Sequence, residues 1–299
     1  MNIATCFGKL VSRLQPSDNE KALAQQHLYT IKNRLTATFN IRRFLTGGSY
    51  SRGTFIRGGS DVDLFAVISK KDVTWGNGLV SSETAINNIR AELLKRYPTT
   101  PVERDVQAVV VPFSQGASVD VVPAVFDQML NGKLPLYLIP DGDRDWMPTC
   151  PELHANYIRQ ADAKSGGKLK RVAQLLKYWR ECRSPRVPLS SFHIEMVLAS
   201  EDICIGIKSY AACVTETLHS WLNGNVAPCK TRWELRATFR RSERRRNGKA
   251  PSRQCGIHAT TRRTRAGTTT LAIQMRRGLS GTLSSTTLFP NDSEPAHEW

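Results

Sequence analysis

No Cys-x-x-Cys pair occurs anywhere in this 299-residue chain, and its seven cysteines (6, 150, 182, 204, 213, 229 and 255) are scattered and odd in number. That excludes a disulfide scaffold and fits a reducing compartment. Cys204, Cys213, His219 and Cys229 have a spacing that matches no common zinc site, so they read as buried or free thiols. No apolar run approaches the roughly 20 residues a membrane helix needs. Met1-Asn2-Ile3-Ala4-Thr5-Cys6 lacks the basic and apolar regions of a secretory leader. The expectation is therefore a cytoplasmic protein with no membrane partner. A hydrophobic content of 40% and a charged content of 23% are those of a globular domain with a sizeable core.

Acidic residues are scarce, 26 against 42 Lys and Arg, for a net charge of +16. The imbalance is local. Residues 229–280 hold fifteen Lys or Arg and two Glu, residues 1–228 are only +6, and the last 19 residues are −3. This basic stretch also lacks a sustained apolar period, so residues 228–299 are expected to be a disordered or poorly packed tail. Its partner would be non-specific nucleic acid, held by charge alone, or it has no function. The rest divides into residues 1–150, read as mixed strand and helix, and residues 151–227, where the period becomes helical.

Ser17-Asp18-Asn19-Glu20 has the form of a capping box, and Ala24, Leu28, Ile31 and Leu35 then fall on one helical face up to about Thr38. Arg43 to Thr46 is strand-like, and Gly47-Gly48-Ser49-Tyr50 reads as a turn. Val62, Leu64, Ala66 and Ile68 alternate with Asp61, Asp63, Phe65 and Val67, the mark of a strand. Glu83 to Arg96 has helical spacing, and Val106 to Val111 and Ser118 to Val122 read as strands. Further on, Leu169, Val172, Leu176 and Trp179 make an apolar stripe, Phe192, Met196 and Ala199 a second, and Ala211 to Leu222 a third helix. Lys164, Lys168 and Arg171 read as a solvated basic stripe.

One constellation carries chemistry. Residues i and i+2 of a strand share a face, so Asp61 and Asp63 lie side by side, roughly 7 Å apart at Cα. Paired carboxylates repel unless a cation or proton intervenes, and magnesium or manganese takes carboxylate and phosphate oxygens. Two such ions can bridge a triphosphate and activate a hydroxyl. Asp120, a lone acid in Ser118-Val119-Asp120-Val121-Val122-Pro123, needs a partner in so apolar a strand and is the third candidate ligand. Upstream, Gly48 lets the backbone approach a phosphate, and Ser49 offers a hydroxyl beside the turn's N–H groups. On that reading Gly48→Val weakens nucleotide binding and leaves stability nearly unchanged. The alternative, a solvated edge-strand face, stays open. Asp105, Asp141, Asp143 and Asp145 read as loop or turn acids.

Gly48-Ser49-Tyr50-Ser51-Arg52-Gly53-Thr54 followed by Ser60-Asp61-Val62-Asp63-Leu64 resembles the nucleotidyltransferase superfamily, and more closely the bacterial cGAS/DncV-like enzymes, cousins of the oligoadenylate synthases. Ser118 to Pro123 resembles their third-aspartate strand. Leu175-Leu176-Lys177-Tyr178-Trp179 and Ser190-Ser191-Phe192-His193-Ile194-Glu195 resemble two helical-lobe signatures. The likeness covers about residues 15–225. It implies an α+β fold, a polymerase-beta-like palm with a mixed sheet plus a C-terminal helical lobe, with the site in the cleft. It implies Lys177 as a phosphate contact on the polar side of its helix, against a plain surface lysine. It implies Phe192 as a base-stacking ring, against simple core packing. It implies a cyclic or linear oligonucleotide messenger made from nucleoside triphosphates in anti-phage signalling, with a downstream effector as partner. Two other readings are an enzyme that modifies an RNA end, protein or small molecule, and a basic nucleic-acid-binding protein on an inactive scaffold. The text from about Cys229 departs from the closing helix of that family.

Overall fold

The computed structural model describes residues 2–184, 187, 189–223, 257–263 and 269–275. Met1–Val214 forms one compact unit and Thr215 opens a second. The division at residue 150 read from the sequence falls inside the first unit.

The chain opens with α1 (Ile3–Leu14), capped by the Asn2 side chain, which accepts from the Ala4 N–H at 3.1 Å. The sequence reading passed over this helix. Next comes α2 (Asp18–Thr38), started by the expected capping box: Ser17 accepts from the Glu20 N–H and Glu20 accepts from the Ser17 N–H. Strand β1 (Ile41–Thr46) leads into the one-turn helix α3 (Gly48–Arg52), where the sequence suggested only a turn. Strand β2 (Val62–Ile68) follows, then the small hairpin β3 (Thr74–Trp75) and β4 (Gly78–Leu79). Helix α4 (Ser82–Arg96) precedes β5 (Glu103–Arg104), β6 (Val109–Val111), β7 (Val119–Leu130), β8 (Leu134–Pro140) and β9 (Trp146–Thr149). Four helices complete this part: α5 (Pro151–Lys164), α6 (Lys168–Glu181), α7 (Ser191–Ser200) and α8 (Tyr210–Leu222).

The described residues build a seven-stranded sheet in the order β1-β2-β7-β6-β5, with β8 and β9 continuing from the far end of β7. Strands β2 and β7 are parallel and their neighbours antiparallel, so the sheet is mixed. Its strand alternation decides the two faces. Val62, Leu64, Ala66 and Ile68 of β2, with Val119, Val121 and Val125 of β7, bury against Ala24, Leu28, Ile31 and Leu35 of α2 and Ala85, Ile86, Ile89 and Leu93 of α4. The opposite face is apolar only toward one end, where Val67, Val122, Ala124 and Tyr137 cluster. Earlier along each strand that same face turns acidic, at Asp63 four residues before Val67 and at Asp120 two residues before Val122. This is the fold expected from sequence: α+β, with helices gathered after the sheet.

Two details differ from expectation. Gly166 and Gly167, with φ of +65° and +81°, break the backbone between Lys164 and Lys168. Lys164, Lys168 and Arg171 therefore do not share one helix. Lys168 instead donates to the Gly206 and Lys208 carbonyls, and Arg171 donates to Gln15 at 2.5 Å. In the tail, Ile257–Arg263 (β10) and Thr269–Met275 (β11) pair antiparallel, where no structure was expected. Their register matches Ile257 with Met275, Ala259 with Ile273 and Thr261 with Leu271, a period of two that the arginines obscure. The rest of the expectation for residues 228–299 lies outside the described residues.

Candidate active site

Parallel pairing of β2 with β7 sets Asp63 opposite Asp120 in register. Adjacent strands lie about 4.8 Å apart, so the two carboxylates share one face as neighbours. Asp61 stands exposed just before β2, where the Ser118 hydroxyl donates to its Oδ1. The valines alternating with these acids are in the core and hold them on the open face.

The group is electrostatically tense. Burial pushes Asp63 up to about 6; Arg52 pulls it back, and Asp61 and Glu195 push it further. Burial also raises Asp120, to about 7, with the charges of Asp61, Asp63 and Asp105 adding to it. Its Oδ1 is buried with no hydrogen-bond partner. An orphaned carboxylate oxygen beside two more acids is the donor set a divalent cation would satisfy. Among the described residues, no three His, Cys, Asp or Glu side chains are placed so that they could together hold a metal ion as they stand. The fit therefore rests on that orphaned oxygen and the mutual repulsion. Asp105 lies in the loop between β5 and β6, and Asp141, Asp143 and Asp145 in the turn between β8 and β9, all as expected.

A pH dependence follows. The unfolded aspartates lose their protons near pH 4, whereas folded Asp63 and Asp120 keep theirs to about 6 and about 7. Across that window the folded state binds more protons, so stability falls as pH rises. Thermal melts in chelator should show a lower melting temperature at pH 8 than at pH 5. Asp120→Asn should flatten the difference; a profile identical to the parent's would mean that Asp120 does not carry this repulsion.

Gly48 is shaped by the same group. Its φ is +58°, and a Cβ built on it would fall 1.5 Å from Asp63 Oδ2. The missing side chain makes room for the carboxylate of Asp63, so Gly48→Val cannot leave the fold unchanged as the sequence suggested. The Gly47 N–H donates to the Asp63 carbonyl at 2.8 Å, which fastens α3 to β2. Ser49 is buried, and its carbonyl accepts from the Thr54 N–H at 3.0 Å.

Lys177 is not on a polar, wet face. It is 0% exposed, because α6 is covered on most sides: Leu169, Val172, Ala173, Gln174, Leu175, Leu176 and Arg180 are buried with it. Its Nζ donates to the Thr54 carbonyl at 3.1 Å, to Thr54 Oγ1 at 2.9 Å and to Glu195 Oε1 at 2.5 Å. Those three bonds use all three ammonium protons. Glu195, on α7, is equally buried and also accepts from Thr54 Oγ1 and from Arg52 Nε. Burial alone would raise Glu195, but the charges of Lys177 and Arg52 outweigh it and hold the carboxylate below its ordinary range. Removing one partner of such a buried pair costs about 3–5 kcal/mol.

Phe192 is half-buried one turn before Glu195. Its ring lies 4.9 Å from that of His154, tilted by 55°, with the Arg52 guanidinium 6.0 Å from its centroid. His154 is pushed down to about 4, first by burial and then by Arg52, and so is neutral near pH 7. Sequence reasoning missed Arg52, Thr54, His154 and Glu195. A signal for Glu195 existed: it is a lone acid between Ile194 and Met196-Val197-Leu198, the same oddity that drew attention to Asp120.

Comparison with known proteins places this site in context. Residues 1–162 match the family model described as Second Messenger Oligonucleotide or Dinucleotide Synthetase domain. The chain is 27% identical over 169 residues to the cyclic AMP-AMP-AMP synthase of Escherichia coli strain MS 115-1, a match covering 54% of this chain and 50% of that protein. This chain thus spans about half the length of the curated relatives it matches. Among solved structures, the E. coli MS115-1 CdnC:HORMA-deltaN complex superimposes with a TM-score of 0.55 at 21% identity, covering 73% of this chain and 69% of that one. The Elizabethkingia meningoseptica CdnE cyclic dinucleotide synthase with GTP and Apcpp gives 0.53 at 20% identity, covering 67% and 78%. These likenesses establish the fold.

Proposed function

Because this chain belongs to the family of Second Messenger Oligonucleotide or Dinucleotide Synthetase domains, we propose that it joins nucleoside triphosphates into a cyclic or linear oligonucleotide messenger, in anti-phage signalling that ends on a nucleotide-responsive effector. The observation that carries this reading is the register of Asp63 with Asp120 beside exposed Asp61, next to a glycine turn that packs on Asp63. Relatives named as cyclic nucleotide synthases and cyclases favour it over transfer to an RNA end, protein or small molecule.

In this reading Asp61, Asp63 and Asp120 hold Mg²⁺ or Mn²⁺, which when bound supplies charge neutralisation for the triphosphate and acidifies the attacking hydroxyl. The remaining work belongs to the chain. The repulsion among the three carboxylates is relieved by protons at low pH, and would be relieved at higher pH by divalent cations on that face. Gly48 and Ser49 place backbone N–H groups and a hydroxyl beside the acids, where the terminal phosphates lie. Phe192, half-buried and backed by His154, offers one aromatic face for a base.

The test is product identification. The 299-residue chain is incubated with all four labelled triphosphates and Mg²⁺ or Mn²⁺, and products are identified by mass. A phosphatase-resistant oligonucleotide is the expected product of cyclisation; a phosphatase-sensitive one is linear. Label found instead on added RNA or on protein would replace this reading with transfer to an external acceptor.

A further inference from the structure

Of the three acids, Asp61 is the one that the sheet does not aim. Asp63 and Asp120 lie within β2 and β7, where the pleat fixes the face of each side chain. Asp61 precedes β2 and is exposed. Ser118, just before β7, holds it instead. Its carbonyl accepts from the Val62 N–H at 3.0 Å, and its hydroxyl donates to Asp61 Oδ1. One residue thus grips both the backbone beside Asp61 and the carboxylate itself. Asp61 Oδ2 is left without a hydrogen bond among the described residues.

Ser118 ends a loop that is held from outside. Among the described residues, residues 113–117 make no backbone–backbone hydrogen bond. Rings take that part. His27 of α2 stacks on Phe113, with centroids 3.6 Å apart and planes 10° from parallel. Tyr97, at the end of α4, meets the same ring edge-on, at 5.6 Å and 88°. Tyr97 and Phe113 both pack against the main core, so the clamp is anchored. The loop also lies close on α2 at Gly116, where an added Cβ would come within 3.3 Å of Leu23 Cβ and 3.4 Å of His27 Cε1.

We infer that Ser118 is a positioning residue that aims Asp61 at a divalent cation, and that His27, stacked on Phe113, sets the loop that places Ser118. A carboxylate free to rotate loses that freedom when an ion binds, whereas one already held binds with less loss. Hydrogen-bond partners of metal-binding side chains govern affinity for this reason, by about 10–100-fold. Strand geometry supplies this control for Asp63 and Asp120; for Asp61 it comes from Ser118 and, at one remove, from a ring on α2.

The inference rests on the proposed metal-dependent chemistry, but its test reads metal binding without turnover. The 299-residue chain is titrated with Mn²⁺, the free ion is read by electron paramagnetic resonance, and each variant is melted in chelator. Ser118→Ala should weaken Mn²⁺ binding by about tenfold or more at a nearly unchanged melting temperature, and Ser118→Thr should restore it. His27→Ala should weaken it by a smaller factor. His27→Phe, which keeps a flat ring on Phe113, should return it. The decisive variant combines His27→Ala with Ser118→Ala. A clamp that acts through Ser118 leaves this double variant no weaker than Ser118→Ala alone, whereas independent effects multiply. Multiplied losses would overturn the role of His27. Parental affinity in Ser118→Ala, with Asp61→Asn impaired, would overturn the inference and leave the proposed function standing. Mn²⁺ binding that depends on Asp61 and Ser118 in a chain that makes no oligonucleotide would uphold this assignment and count against the proposed function alone.

Discussion

Replacing Asp61 and Asp63 together with Asn is expected to cut nucleotide incorporation by about a thousandfold or more while the fold persists. The amide keeps the shape of each side chain and removes the charge that a divalent ion needs. The fold should do better than survive. Asp63 is half-buried, and its carboxyl is pushed up to about 6 by desolvation and by Asp61, so a neutral group there relieves repulsion at pH 7 and above. Lower activity with a raised melting temperature in chelator is the combined signature, read by incorporation of labelled triphosphate and by thermal melts. Near-normal incorporation would remove these residues from the chemistry. A fall in both readings would make them structural.

Gly48→Val should fail in two ways at once. An L side chain at φ +58° is strained by about 1–2 kcal/mol, more for a branched one, and the added Cβ would lie 1.5 Å from Asp63 Oδ2. Something has to move, and Asp63 is the nearest group. The expected result is a lower melting temperature together with loss of incorporation by about a hundredfold or more, because a misplaced carboxylate is a misplaced ligand. Gly48→Ala should share the direction with a smaller drop. A valine variant with parental stability and turnover would show that α3 tolerates a shift and that Gly48 does not set the place of Asp63.

The fold was legible where its signals are local. Ser17 and Glu20 announced the start of α2, and both capping bonds are present. Ala24, Leu28, Ile31 and Leu35 announced its buried face, and all four are in the core. The alternation after Asp61 announced β2. The pairing of β2 with β7 was not legible, because it joins residues 57 positions apart and no local periodicity encodes which strands meet. That pairing is what turns two separate acidic motifs into one group. The burial of Lys177 was not legible for a related reason. A helical stripe tells which side is apolar, but α6 is enclosed on its polar side too, so burial there depends on α7 and on the turn bearing Thr54. Arg52 and Thr54 stood within the motif that prompted the family resemblance, but nothing in their spacing assigned them a role.

The proposed chemistry needs three acids acting together on nucleoside triphosphates. The most direct measurement is pyrophosphate release by the full chain from a mixture of the four triphosphates, with Mg²⁺ and with chelator, for the parent and for Asp61→Asn, Asp63→Asn and Asp120→Asn singly. Release that requires the divalent ion and falls by orders of magnitude in each variant is the expected result. Release that persists in chelator, or that any one of the three variants sustains at the parental rate, would contradict it.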